Sequence, residues 1–186
     1  PLQIRLEQNS TMPVTPLAQQ CRSIIIMGVA GSGKSTIASL LSDTLGYVYL
    51  EGDDFHSAEA KAMMAAGIPL TDALRESWID RLCQQLSLCK QQQKSCVLSY
   101  SGLIARQRQR IRTAGSPAQF FYLYGDESLL LQRLKARQNH FMPATMLRSQ
   151  LDTMQSPEHE TDVHYIDIAD STAQILAQIC RQLSEC

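Results

Sequence analysis

The sequence predicts an α/β fold, a five-stranded parallel sheet with helices on both faces, built on a phosphate-binding loop. Three observations predict it. Residues Gly28 to Thr36 read Gly-Val-Ala-Gly-Ser-Gly-Lys-Ser-Thr, a complete G-x-x-x-x-G-K-[ST] loop. The apolar run Ser23-Ile24-Ile25-Ile26-Met27 precedes it, and Ile37, Leu40, Leu41 and Leu45 follow at helical spacing. A buried strand therefore leads into the loop and a helix leaves it. From there to the C-terminus, short continuous apolar runs alternate with helical stretches, the pattern of parallel strands covered on both faces.

In chain order, Ser23–Met27 is the first strand and Lys34 opens the first helix. Tyr47–Leu50 is a second strand, ended by the acidic turn Glu51-Gly52-Asp53-Asp54. Ala58 to Ala66 reads as helix and stops at Gly67, with Pro69 just beyond. Leu74 to Leu88 is a longer amphipathic helix with Trp78, Leu82 and Leu86 on one face. Cys96–Tyr100 is the third strand, and Arg106 to Arg112 a basic helix closed by Gly115-Ser116-Pro117. Gln119–Tyr124 is the fourth strand and Leu129 to Arg137 the helix after it. Val163–Ile168 is the fifth strand, and Ala173 to Leu183 closes the chain. A lid is expected at about 126–157.

Composition narrows the function. The 186 residues suit one domain, 23–186, after a loose N-terminal extension, 1–22, that holds Pro13 and Pro16. Seventeen basic against eighteen acidic side chains give a net charge of -1, so no basic field draws nucleic acid or an anionic membrane. No apolar run approaches the roughly 18 residues that span a bilayer, and Pro1–Gln20 lacks the apolar core of a signal peptide. Six cysteines form no C-x-x-C pair and no metal spacing, which suits reduced, buried thiols in a cytoplasmic enzyme.

The loop sets the chemistry. Gly28, Gly31 and Gly33 allow backbone conformations that bring N–H groups close to an anion. Val29, Ala30, Ser32 and Thr36 complete the cradle, and the helix N-terminus adds its dipole. Lys34 is placed to span the β- and γ-phosphates of a nucleoside triphosphate, and the Ser35 hydroxyl to hold Mg²⁺. Ligands of open parallel sheets sit at the carboxyl ends of strands, which places Glu51, Asp53 and Asp54 correctly. Strand three ends in Ser99-Tyr100-Ser101, with no acid, so metal and base duties fall on that acidic turn. A carboxylate there can accept a substrate proton or hold Mg²⁺ through water. Arg133 and Arg137, four apart on one helix face, suit charge neutralisation on the transferring phosphoryl group; a solvated basic face is the other reading. His140-Phe141-Met142-Pro143 suits the tip of a lid. His56 and Arg75 follow strand two and can hold a polar acceptor or stand at the surface. No Asn-Lys-x-Asp segment is present to read guanine.

These motifs in this order resemble the gluconate kinases, small P-loop sugar-acid kinases related to shikimate kinase. The carriers are Gly28–Thr36, Gly52-Asp53-Asp54-Phe55-His56, Gly67-Ile68-Pro69-Leu70-Thr71-Asp72 with Arg75 and Trp78, and Ser101-Gly102-Leu103. Arg108 with Arg112, Arg133 with Arg137, His140-Phe141, and Met146-Leu147-Arg148-Ser149-Gln150 leading to Pro157 continue the series. The resemblance implies ATP-dependent phosphorylation of the 6-hydroxyl of D-gluconate, a five-stranded sheet with a helical lid, and often a homodimer. It implies Asp53 as base or substrate anchor, Glu51 nearer Mg²⁺, and Arg108 beside Asp53, His56 and Arg75 among the substrate-holding residues. The chain departs from the family pattern at Ser57, Ala60, Met63 and Gln155, and at Ile104-Ala105, where two basic residues are usual. A kinase for another small hydroxy or sugar acid, or a diverged nucleotide-binding module without catalysis, are the alternatives.

Overall fold

The computed structural model describes residues 20–137 and 145–184. Its sheet has five parallel strands: β1 (Ser23–Met27), β2 (Val48–Glu51), β3 (Cys96–Tyr100), β4 (Ala118–Tyr124) and β5 (Val163–Asp167). Their order is β2-β3-β1-β4-β5, so β1 lies at the centre, with Met27 opposite Tyr100 of β3 and Tyr122 of β4. The helices are α1 (Lys34–Leu45), α2 (Ala58–Ala65), α3 (Asp72–Gln91), α4 (Ala105–Ala114), α5 (Glu127–Ala136), α6 (Thr145–Thr153) and α7 (Thr172–Ser184), with a 3₁₀ turn at Gly52–Phe55.

Strand alternation divides the core in two. Ile24 and Ile26 of β1 point to one face, where Ile37 and Leu41 of α1, Leu130 of α5, Leu147 of α6 and Ile179 of α7 pack. Ile25 and Met27 point to the other, against Trp78, Ile79, Leu82 and Leu86 of α3 and Ile111 of α4. Because both faces are covered, all five β1 side chains are buried, which is why the strand reads as an unbroken apolar run. Truncating one of these to alanine costs about 2–5 kcal/mol. No described helix is long and apolar enough to cross a membrane.

The expected elements are present, with ends moved by one to three residues. Glu51 belongs to β2 itself, opposite Ser99 of β3. Helix α6 is additional to the periodicity reading. Its buried residues Met146 and Leu147, with half-buried Leu151 packed beside them, form its apolar face. The segment 138–144, with the expected lid tip His140–Pro143, and the extension 1–19 lie outside the described residues.

Candidate active site

The loop between β1 and α1 occupies the carboxyl edge of the sheet at its central strand. Gly31 and Gly33 take φ of +84° and +88°, a region that L side chains rarely adopt. A Cβ on Gly31 would stand 2.8 Å from the Leu130 carbonyl oxygen, so the loop also packs tightly on α5. A Cβ on Gly33 would meet nothing within 4 Å, which leaves open space over the backbone where an anion can approach. Gly33 caps α1 without any side-chain acceptor. The buried Ser32 hydroxyl has no hydrogen-bond partner either. Unclaimed donors around an open cradle at a helix N-terminus fit a phosphate group.

Two carboxylates stand beside the loop in different environments. Glu51 is enclosed: Ser99 Oγ donates to it at 2.7 Å, the Asp53 backbone N–H at 3.3 Å, and the Tyr49 hydroxyl to its second oxygen. Burial pushes its carboxyl up, but hydrogen bonds from Tyr49, Ser99, Ser35 and Asp53 outweigh burial and hold it below the usual carboxylate range. Burial and the Glu51 charge in turn raise the Tyr49 phenol. Ser35 and Glu51 thus meet, and a hydroxyl backed by a permanently charged carboxylate fits Mg²⁺. With so many donors on Glu51, that ion would take its remaining ligands from phosphate and water. No group of three or more His, Cys, Asp and Glu side chains able to hold a metal occurs among the described residues. Asp53, by contrast, faces a cavity, while Asp54 is exposed.

That cavity gathers Lys34, Asp53, His56, Arg75, Trp78, Ser101, Gln107 and Gln150, with Met64, Leu70, Leu103, Ile104 and Met146 along one wall. The Trp78 indole N–H donates to the Gly52 carbonyl at 2.7 Å, and Arg81 donates to Phe55 O at 2.6 Å. Helix α3 therefore holds the 3₁₀ turn carrying Asp53 from both ends. His56 stacks on Trp78 at 4.2 Å and 19°. Burial, with Arg81 and Lys61 adding to it, lowers the His56 pKa to about 4, so the ring is neutral at pH 7. Its Nε2, 3.9 Å from Asp53 Oδ1, is thus in polar contact and not in an ion pair. Its Nδ1 is buried without a partner. Among the described residues, half-buried Arg75 has one ion pair, with exposed Asp72 at 3.5 Å.

Two expectations change. Arg108 does not reach the cavity: it is fully buried, donating to Glu160 from Nε and Nη2, to Gly102 O at 2.6 Å and to Gln155 O at 2.9 Å. A guanidinium with no exposed surface and these fixed acceptors braces the cavity wall and has no face for a substrate. Arg133 and Arg137 do come to the phosphate loop, but in a separate cleft with Gly31, Gly33, Thr36, Asp170 and Thr172. Arg133 Nη2 donates to Ile168 O at 2.7 Å. Arg133 thus lines this cleft and is not among the residues lining the cavity of Lys34 and Asp53.

Sequence reasoning missed Gln107 and the cavity-facing role of Trp78, which reads as a core residue from its spacing. The departures find plain roles. Ile104 lines the cavity, Ala60 is buried, and Gln155 Oε1 accepts from the Ala105 N–H at 2.7 Å, a task its amide performs as a carboxylate would.

Residues 24–157 match the family model described as an AAA domain. The thermosensitive gluconokinase of Escherichia coli K12 is 37% identical over 163 residues, covering 86% of this chain and 86% of its own. A solved sugar kinase from Janibacter sp. HTCC2649 is 34% identical with a TM-score of 0.82, over 88% of this chain and 95% of that one. A gluconokinase structure from Sinorhizobium meliloti 1021 is also 34% identical, with a TM-score of 0.76 over 87% and 95% of the two chains.

Proposed function

The chain belongs to the gluconokinase family of P-loop kinases, and from that premise we propose that it transfers the γ-phosphoryl group of ATP to the 6-hydroxyl of D-gluconate. The products are ADP and 6-phospho-D-gluconate. One observation carries the reading: Lys34 of the phosphate loop, the Asp53 carboxylate and the Arg75 guanidinium line a single cavity. Phosphoryl transfer needs a charged clamp on phosphate, a group to take the nucleophile's proton, and an anchor for the acceptor.

Lys34 neutralises charge between the β- and γ-phosphates, aided by the loop N–H groups from Gly31 to Thr36. Ser35, backed by Glu51, would hold Mg²⁺, which when bound would supply further neutralisation on the phosphates. Asp53 orients the acceptor hydroxyl and accepts its proton as the new bond forms. Arg75 pairs with the acceptor carboxylate. Neutral His56, fixed by its stack on Trp78, and Gln107 read acceptor hydroxyls. Arg133 and Arg137 hold the nucleotide on the far side of the loop.

The test is ATP-dependent ADP release across a panel of sugar acids, with wild type and Asp53→Asn. D-gluconate should be the best acceptor. Asp53→Asn should lose about 10²-fold or more in kcat, the scale of general base catalysis, while still binding nucleotide. Release that no sugar acid stimulates defeats the kinase reading; an equally active Asp53→Asn removes only the base assignment.

A further inference from the structure

The phosphate loop is tethered at two points to the wall of the acceptor cavity. The Gly28 N–H donates to the Ser101 carbonyl at 3.2 Å. The Ala30 N–H donates to Gln150 Oε1 at 2.7 Å. Ser101 and Gln150 both line the cavity that holds Asp53. The first tether is backbone to backbone. The second is a side-chain acceptor sent from α6, 120 residues along the chain, to an N–H of the loop whose amides cradle phosphate.

The position of α6 is itself tied to the acceptor side. Its Ser149, Gln150 and Thr153 face the cavity, and just beyond it the Gln155 N–H donates to Leu103 O at 2.8 Å. A molecule seated against that face fixes the helix, and a fixed helix fixes the oxygen on the Ala30 N–H. Glutamine suits the position because its amide accepts this hydrogen bond without setting negative charge beside phosphate. We propose that Gln150 is a positioning residue that couples the two substrates, holding the phosphate loop through Ala30 so that acceptor and nucleotide each strengthen binding of the other. The coupling rests on the kinase reading above. Linkage requires it to be reciprocal.

Two measurements test it, on wild type, Gln150→Ala and Gln150→Glu, each first shown by thermal melting to be folded. In ligand-free protein, hydrogen exchange at the Ala30 amide should quicken roughly 3- to 10-fold in Gln150→Ala, the worth of one hydrogen bond. Gln150→Glu, which keeps an acceptor oxygen, should stay protected. Unchanged exchange in Gln150→Ala means there is no tether and overturns the proposal. The second measurement titrates a non-hydrolysable ATP analogue with and without saturating D-gluconate. Wild type should bind the analogue ~5-fold or more tightly with D-gluconate present, and Gln150→Ala should bring that ratio close to one. A side chain that merely supports the fold would weaken both titrations together and leave the ratio alone, and that outcome also overturns the proposal. A wild-type ratio of one, in an enzyme that phosphorylates D-gluconate, defeats the coupling and leaves the kinase reading standing. A protein that neither binds nor phosphorylates any sugar acid defeats both.

Discussion

Replacing Arg108 by alanine separates a brace from a substrate ligand. The wild-type guanidinium is fully buried and donates to both oxygens of Glu160 and to the carbonyls of Gly102 and Gln155. Alanine takes this donor from the buried Gly102 carbonyl and from the part-buried Gln155 carbonyl, and leaves one carboxylate short of a partner. Removing one member of a buried ion pair costs about 3–5 kcal/mol. Glu160 keeps Arg112 at 2.7 Å and is itself 21% exposed, so the loss belongs near the lower end, about 3 kcal/mol. In a domain of this size 1 kcal/mol moves Tm by roughly 2–4 °C, so a fall of about 6–12 °C is expected. The assay is a thermal melt followed by circular dichroism, beside KM for D-gluconate measured well below the new midpoint. Arg108→Lys should recover part of the loss, since an ammonium keeps the charge but not the planar fork that meets three groups at once. A Tm within about 2 °C of wild type, joined to a large rise in acceptor KM, would refute the bracing role and return Arg108 to the substrate.

Lys34→Ala should lower kcat by at least about 10²-fold, roughly 2.7 kcal/mol of barrier, with Tm nearly unchanged because α1 packs through Ile37, Ala38 and Leu41; near-normal turnover removes the phosphate site. Arg133→Ala should raise KM for ATP more than it lowers kcat, since its cleft lacks Asp53; the opposite split would put Arg133 on the transferring phosphoryl group. His56 predicts a pH effect on stability. Its folded pKa of about 4 lies below the ordinary 6.5, so between those values the unfolded chain binds more protons. Stability present above pH 6.5 is lost as pH falls toward 4, by up to about 3 kcal/mol. Glu51 and Glu160, both held below 4.5, add their losses only under that pH. Urea denaturation from pH 7 to pH 4.5 should therefore show a slope that His56→Phe flattens, and an unaltered slope in that variant contradicts the burial argument.

The fold was legible because its signals are local. A strand buried on both faces must be apolar throughout, as Ser23–Met27 is, and the glycine loop needs Gly31 and Gly33 at positive φ. The rule that ligands gather at strand ends pointed to Asp53, while His56 and Arg75 stood open between acceptor and surface; all three line one cavity with Lys34. What escaped depends on contacts between distant segments. Nothing near Arg108 in sequence announces Glu160, 52 residues away, which decides whether that arginine is a ligand or a brace. Trp78 reads as core by its spacing and is core, yet its ring also supports His56 at the cavity edge. Helix α6 packs through Met146, Leu147 and Leu151, and the Gln150 contact with Ala30, 120 residues away, follows from that placement.

The charge of α4 shows how the acceptor site is built. Its arginines are two apart, which on a helix sends successive ones to opposite sides. Arg106 and Arg110 pair with Glu76 and Asp80 of α3, while Arg108 and Arg112 pair with Glu160 and Asp162 before β5. The basic helix is thus a clamp between two segments. None of its charge is turned to the cavity, where Ile104 stands at its N-terminus. If Lys34 serves phosphate, as the proposed reading has it, Arg75 is, among the described residues lining the cavity, the cation that remains for an acceptor carboxylate. A single cation cannot distinguish one sugar acid from another, because each brings the same carboxylate. A buried polar group left unpaired by the wrong acceptor penalises it far more than a lost apolar contact does. His56 and Gln107 are polar side chains lining the cavity, so on the proposed reading discrimination among sugar acids falls to hydroxyl-reading groups of this kind, with Arg75 selecting only for the acid.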